Sequence, residues 1–473
     1  MSDVAYQQCI HAACAQTYAL DEVLFRCRAC GALLDVRYDW AQVPLPKRLA
    51  DFARRWGTPG RTAEARADFS GVWRFRELLP FARVEDIVTV GEGRTILQQA
   101  DQIAGQVGMD PGHLFLQYEG FNPTGSFKDN GMTAAFTLAR RLGKRRVACA
   151  STGNTSASMA VFAAQAGDHG AAMQAIVFIG RGKIAFGKLA QALDFGALTL
   201  QVDGDFDACM RRVVECAEKL DIYLMNSLNP FRLEGQKAIM YRVLQGLDWE
   251  VPDWIVVPGG NLGNSSAFGK AFLELRELGL VDRVPRLAII NAAGANTLQI
   301  AFNDRGYRWN GGNFPMADIA GHFAELDAAG AKASTIATAI EIGRPVNLTK
   351  ALRALDFMDG VVREVDDATI LEFKALIGQC GFGCEPASAA SLAGLKLLRD
   401  EGVIAPSDRV ACILTGHALK DPDATIAYHA GIDTKKAKMP EPAPPTGRYA
   451  NPPIRVPDDF AAIREVIEAH APA

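Results

Sequence analysis

A lysine placed where a helix begins is the first residue whose chemistry needs an explanation. Glu119 to Asn130 reads EGFNPTGSFKDN, and the apolar spacing of Met132, Ala135, Phe136, Ala139 and Leu142 after it predicts a helix with Lys128 and Asp129 in or just before its first turn. The positive end of a helix dipole disfavours an ammonium by roughly 0.3–1 kcal/mol at an exposed site. The position therefore suits a lysine that gives up its proton and works as a nucleophile or Schiff-base nitrogen. Asp129 is a first-turn carboxylate that suits the dipole, and Phe127 reads as a packing residue.

Two further stretches are built to hold anions. WIVVP delivers GGNLGN (Gly259 to Asn264) to a helix that begins near Ser265, which presents free backbone N–H groups to a ligand. It is neither a G-x-G-x-x-G fingerprint nor a Walker loop, so a single phosphate monoester is its expected guest. STGNTSAS (Ser151 to Ser158) follows the apolar run VACA and precedes a second helix, where its hydroxyls and N–H groups suit a carboxylate. Taken singly, the first could be an ordinary turn and the second an ordinary polar cap. A lysine, a phosphate seat and a carboxylate seat together ask for pyridoxal 5'-phosphate and an amino-acid substrate.

These segments need elements to hold them. From about Asp86, strand-like apolar runs alternate with amphipathic helical stretches, the signature of βαβ units and parallel sheets. RVACAS, QAIVFIG, ALTLQVDG and IYLMN predict four strands of a smaller α/β domain at about 130–226. WIVVPGG, RLAIINAAG, VVREV and RVACILTG predict a second layer. The fold class expected is α/β, two domains with a cleft between them at the carboxyl ends of the strands. The core spans 86–433, a helical arm 41–85 precedes it, and a Pro-rich tail with a terminal helix occupies 434–473. That tail has seven prolines from Pro440 to Pro457, after the basic KKAK of Lys435 to Lys438, which reads as a solvated linker face. Residues 1–40 carry Cys9, Cys14, Cys27 and Cys30, two pairs spaced as in a small zinc ribbon. They hold either a structural zinc ion or a ribbon that folds without metal, with His11 as a loop residue. The other six cysteines read as reduced and mostly buried.

Composition narrows the partners. Of 473 residues, 49% are hydrophobic and 22% charged, as in ordinary globular proteins. A net charge of -4 and a pI near 6.0 give no general pull toward nucleic acid. No targeting segment or 18-residue apolar run is seen, which predicts a cytoplasmic protein without membrane partners. A homodimer is the default assembly.

GEGRT (Gly91 to Thr95), NPTGSFKDNGM, ASTGNTSAS, MNSLNPFRLEGQK, PGGNLGN, TAIEIGRPVN, CEPASAASLAGL and LTGHALKDPD, in that order from about Val88 to Asp423, resemble the threonine synthase family of fold type II pyridoxal-phosphate enzymes, which are tryptophan synthase β-like. The ribbon with its GALLDV is similar to the start of that family, whereas Asn303 to Glu325 and the tail match nothing in it. The resemblance implies a lyase of threonine and amino-acid biosynthesis that converts O-phospho-L-homoserine and water to L-threonine and phosphate. It implies that Lys128 holds the cofactor aldehyde and then acts as acid and base. Asn154 would meet the cofactor's 3'-oxygen, Gly260, Asn261, Leu262, Gly263 and Asn264 its phosphate, and Thr415 its pyridine nitrogen. Ser151, Thr152 and Thr155 would bind the substrate, as would Asn226, Ser227 and Arg232 through its phosphate. Glu385 would support packing or take part in the chemistry. The alternatives are a serine or threonine dehydratase, a cysteate synthase-like β-replacement enzyme, and a noncatalytic binding protein of the same fold. A nicotinamide dehydrogenase is weakened by the missing fingerprint.

Overall fold

The computed structural model describes residues 4–55, 57, 60–151, 153–167, 172–180, 186–203, 206–431 and 447–470. Its strands form three sheets. At the N-terminus β1 (Ala5–Cys9), β2 (Thr17–Tyr18) and β3 (Leu34–Tyr38) make an antiparallel ribbon ordered β2-β1-β3. Next come β4 (Ile96–Gln99) and β5 (Leu114–Tyr118). β6 (Arg146–Ala150), β7 (Gln174–Gly180), β8 (Leu198–Val202) and β9 (Tyr223–Leu224) then form a parallel sheet ordered β8-β7-β6-β9. Finally β10 (Trp254–Pro258), β11 (Arg286–Ala292), β12 (Val361–Val365) and β13 (Val410–Leu414) join the earlier pair in a six-stranded sheet ordered β12-β11-β10-β13-β5-β4, with only β4 antiparallel.

All eight strands expected from the apolar runs are present. The inner strands β10 and β13 of the large sheet read as unbroken hydrophobic runs because helices cover parallel sheets on both faces, and every residue of both is buried, whereas VVREV of β12 is a half-buried edge. β4 and β5 were not among the expected strands. ILQQ is a mostly exposed edge with no alternation, and LFLQY is only five residues long, although the turn residues Asp110, Pro111 and Gly112 before it were an available signal. Their position has a consequence for topology. The large sheet begins before the small one and resumes after it, so the chain crosses between the layers just after β5 and again before β10.

Six helices border these crossings: α1 (Lys128–Arg141), α2 (Asn154–Ala166), α3 (Pro230–Gln236), α4 (Gly263–Glu277), α5 (Leu348–Phe357) and α6 (Pro386–Asp400). α1 begins at Lys128, as its spacing predicts, but it is buried all round from Asp129 to Ala139 and not on one face alone. It meets α3 so closely that a Cβ at Gly235 would lie 1.8 Å from the Asn130 carbonyl oxygen, and one at Gly131 would lie 2.9 Å from that of Arg232. Only glycine at both positions lets the two backbones touch. The helical turns of 41–85 lay Trp73, Phe75 and Phe81 into the same core, and the Trp73 indole N–H donates to Thr133 Oγ1 of α1 at 2.7 Å.

The chain falls into two compact units, Met1–Asp421 and Pro422–Ala473. The second contains helices Pro422–Ala430 and Phe460–Ala469, the latter capped by Asp459, whose carboxylate accepts from Ala462 N. The KKAK of the linker lies outside the described residues. Among the described residues, no helix is long and apolar enough to cross a membrane.

Candidate active site

The loop that delivers Lys128 is fastened at its start by Glu119. That carboxylate is fully buried, and it accepts from Arg242 (2.7 Å), Asn130 Nδ2 (2.7 Å), Asn122 Nδ2 (2.9 Å) and Thr95 Oγ1 (2.9 Å). Burial alone would raise its pKa; the Arg242 guanidinium and the hydrogen bonds from Gln117 and Asn130 together outweigh burial and hold it below the ordinary value. At the far end, Phe127 N donates to the Thr415 carbonyl at 2.9 Å, joining the loop to the end of β13. Lys128 is the first residue of α1, and its Nζ lies 3.7 Å from the centre of the Phe127 ring. Asp129 closes the loop by accepting from Thr124 N (2.8 Å) and Thr124 Oγ1 (2.6 Å).

Burial nevertheless pushes the Asp129 carboxyl up to about 6. A raised folded-state value stabilises the fold fully below the unfolded pKa, and that contribution is lost as pH rises through 6. Denaturant midpoints measured from pH 4 to 7.5 are expected to show the loss, about 3 kcal/mol for a shift of this size. In Asp129→Asn the dependence over this window should flatten; an unchanged slope would assign it to another group.

The second loop is the glycine-rich turn, GGNLGN, that was expected to seat a phosphate. β10 ends at Pro258, and Leu262 turns the chain into α4 with φ 63° and ψ 19°, a left-handed conformation unusual for leucine. The loop is fixed from behind: Asn347, which caps α5, donates from N (3.2 Å) and Nδ2 (3.3 Å) to the Asn261 carbonyl. Gly260 faces the segment Ala339–Ile340, where a Cβ would come within 3.1 Å of Ile340 Cα. Gly260→Val is therefore expected to weaken cofactor binding at least about tenfold, or 1.4 kcal/mol. A fluorescence titration of the cofactor-free protein checks this, and unchanged affinity would remove the loop from the seat.

One cleft gathers Phe127, Lys128, Ser227, Arg232, Gln236, Gly260, Asn261, Leu262, Gly263, Asn264, Ala339, Ile340 and Thr415. Nine of these are residues anticipated for the site. Around it lie buried polar atoms with no partner among the described residues: Arg232 Nε, Gln236 Oε1, Asn264 Oδ1 and Ser265 Oγ. An unpaired buried donor is costly; a bound cofactor phosphate would satisfy that of Ser265, and a second phosphate that of Arg232. Ser265 with the first N–H groups of α4, which have no intrahelical acceptor, fits the phosphate ester of pyridoxal phosphate. Arg232 itself is 1% exposed and donates from NH1 to the Met225 carbonyl at 2.9 Å. Burial lowers its pKa to about 10, which leaves it charged at neutral pH.

The remaining anticipated residues stand beside the cleft. Asn154, the first residue of α2, donates from Nδ2 to both oxygens of the Glu385 carboxylate (3.1 and 3.0 Å), and its Oδ1 is buried with no partner among the described residues. Thr415 Oγ1 donates to the same carboxylate at 3.4 Å and lies 2.9 Å from Ser388 Oγ. Glu385 thus ties the small layer to the large one at this point, a role that the CEPASA motif did not announce. Ser151 Oγ accepts from Gly153 N at 3.0 Å, and Thr155 is half-buried in the first turn of α2. Both halves of the Asn226 amide are bonded to the backbone of Ala150 (3.1 and 3.0 Å), so Asn226 braces the strand end that carries Ser151. Thr152 lies outside the described residues. Sequence reasoning gave no role to Gln236, Ala339, Ile340 or Asn347; the motifs holding them, EGQK and TAIEIGRPVN, were the available signal.

In the ribbon, the Sγ atoms of Cys9, Cys14, Cys27 and Cys30 all lie within 4.8 Å of one another, with Cys9 to Cys30 at 3.4 Å and Cys14 to Cys27 at 3.6 Å. His11 packs edge-on against Phe314 and is not part of that cluster. Of the other cysteines, Cys149, Cys209, Cys384 and Cys412 are buried and Cys216 and Cys380 half-buried, with no disulfide among the described residues.

Residues 88–416 match the family described as "Pyridoxal-phosphate dependent enzyme". The chain is 41% identical over 421 residues to threonine synthase of Methanocaldococcus jannaschii, covering 89% of this chain and 94% of that one. It is 37% identical over 462 residues to threonine synthase 2, chloroplastic, of Arabidopsis thaliana, covering 96% and 83%. The fold is similar to the solved threonine synthase of Escherichia coli, with a TM-score of 0.61 at 18% identity over 98% of this chain and 100% of that one. With the lysine loop, the anion seat and these relatives in agreement, the chain belongs to the pyridoxal-phosphate dependent enzymes and, among them, to the threonine synthases.

Proposed function

We propose that this protein uses pyridoxal phosphate to convert O-phospho-L-homoserine and water into L-threonine and inorganic phosphate. The observation that carries the reading is the convergence of Lys128, a glycine-rich phosphate seat and the buried Arg232 in one cleft. Bound there, the cofactor supplies an electron-withdrawing ring that lets the substrate give up protons at Cα and Cβ. Gly260, Asn261, Leu262, Gly263 and Asn264 hold the cofactor phosphate. Thr415 meets the ring nitrogen and Asn154 the 3'-oxygen, with Glu385 setting both side chains. Ser151, Thr152 and Thr155 orient the substrate carboxylate. Lys128 Nζ takes the Cα proton and returns protons to the substrate as phosphate leaves Cγ and water adds at Cβ. Ser227 and Arg232 face the departing phosphate, which a guanidinium suits in charge and shape. A cytoplasmic homodimer and a structural zinc ion on the four ribbon thiols complete the proposal; gel filtration and metal analysis test them.

The deciding experiment measures phosphate and free threonine from O-phospho-L-homoserine with cofactor present. Equal production of both is expected. Phosphate accompanied by 2-oxobutyrate would reassign the chemistry to elimination, and neither product would overturn the reading.

A further inference from the structure

Behind the cleft lies a layer of buried charge that the proposed reaction does not use. α3 contributes Glu234 with Lys237 directly after it, α4 contributes Lys270 and Glu274, and α5 contributes Lys350 with the largely buried Arg353. These are the three helices that border the anion seat, through Arg232 and Gln236, through Gly263 and Asn264, and through Asn347 as the α5 cap on Asn261. Four cations face two carboxylates, so the helices cannot neutralise the layer by themselves. Lys237 bonds to Glu234 and Glu274, and Lys270 to Glu234, but Lys350 and Arg353 have no carboxylate from that set among the described residues.

β3 supplies what is missing. Asp35 accepts from Arg353 NH1 (2.6 Å) and pairs with Lys350 Nζ (3.2 Å), which also donates to the Leu34 carbonyl (2.6 Å). Lys270 Nζ donates to the Val36 carbonyl, and the Tyr38 hydroxyl to Glu234 Oε2 (2.6 Å). Four of the five residues of β3 therefore satisfy buried charge on the cleft helices. β3 itself is held by β1 over five paired positions, the last of them Cys9 opposite Leu34. That end is where the cysteine knuckle closes: Cys27 N donates to the Ala32 carbonyl, and Ile10 N to that of Leu33.

A tetrahedral zinc ion with Zn–S bonds of about 2.3 Å places its sulfurs about 3.8 Å apart. The four thiols already stand at nearly that spacing. We infer that a thiophilic divalent metal of the zinc class, bound by Cys9, Cys14, Cys27 and Cys30, locks β3 beneath α3, α4 and α5 and thereby sets the anion affinity of the cleft. The inference rests on the zinc reading given above and extends it: the ribbon is a working part of the phosphate seat, because without β3 the charges behind that seat lose their partners and the helices carrying them must shift.

The test uses the full-length protein freed of cofactor, so that the phosphate seat is open, with metal content by mass spectrometry and calorimetric titration with inorganic phosphate. The Cys27→Ser/Cys30→Ser variant is expected to lose its metal and bind phosphate at least about tenfold more weakly. Asp35→Asn should keep the metal and still weaken phosphate about as much, while Arg37→Ala, on the same strand, should change neither. Phosphate affinity at the wild-type level in Asp35→Asn, or in a folded metal-free cysteine variant, would overturn the coupling. A wild-type chain that takes up no zinc from excess would overturn the metal site. Where the cysteine variant fails to fold, Asp35→Asn and Tyr38→Phe still decide the coupling. Failure of the reaction assignment appears separately, as absent turnover by the wild type.

Discussion

Lys128→Ala is expected to lower turnover of O-phospho-L-homoserine by at least about a thousandfold, the upper range for losing a positioned acid and base. Lys128 is the only lysine that lines the cleft among the described residues, so no neighbouring amine stands ready to replace it. The anion seat is a separate structure, built by the β10–α4 turn and braced by Asn347, and the substitution leaves it intact. The variant should therefore retain cofactor through ultrafiltration yet lose the visible absorbance of a lysine-linked cofactor. The two readouts separate a chemical role from a structural one. Loss of cofactor together with activity would mean that Lys128 mainly anchors it, and near-normal turnover with cofactor bound would refute the proposed mechanism.

How much of this was legible beforehand depended on whether the controlling contact was local. A strand, a glycine-rich turn and a helix opening are neighbours in sequence, so GGNLGN and GSFKDN announced both the turn from β10 into α4 and the lysine that opens α1. The inner strands of the two parallel layers were equally plain, because strands buried on both faces have to be continuously apolar. β4 was not, since an exposed edge strand needs no hydrophobic pattern. Glu385 was ambiguous for a different reason: its meaning lies in Asn154 and Thr415, which are 231 and 30 residues away in the chain. The charge layer was invisible for the same reason. Asp35, Lys270 and Lys350 look like surface residues of a strand and two helices until the fold stacks them, and a buried lysine has no periodic signature.

Arg232 offers the second large effect, and its environment decides which substitution is informative. The guanidinium is 1% exposed, donates once to the Met225 carbonyl at 2.9 Å, and keeps an unpaired Nε beside the cleft. A buried cation held so sparingly contributes little to stability, and replacing buried charge by an apolar side chain of similar length is often neutral or stabilising. Arg232→Met should therefore melt within a few degrees of the wild type. Its kcat/KM for O-phospho-L-homoserine should nevertheless fall by about 10²–10³, or 2.7–4 kcal/mol of transition-state stabilisation. Inhibition by inorganic phosphate should weaken in parallel, because product and leaving group share the same oxygens. Arg232→Lys should recover little of the loss, since an ammonium provides a point charge without the planar fork that matches phosphate. If the melting temperature collapses while kcat/KM per folded molecule holds, Arg232 is a packing residue and the phosphate must be met elsewhere. If activity falls while phosphate inhibition is unchanged, the guanidinium acts on the amino-acid end of the substrate, and the orientation proposed for the cleft is reversed.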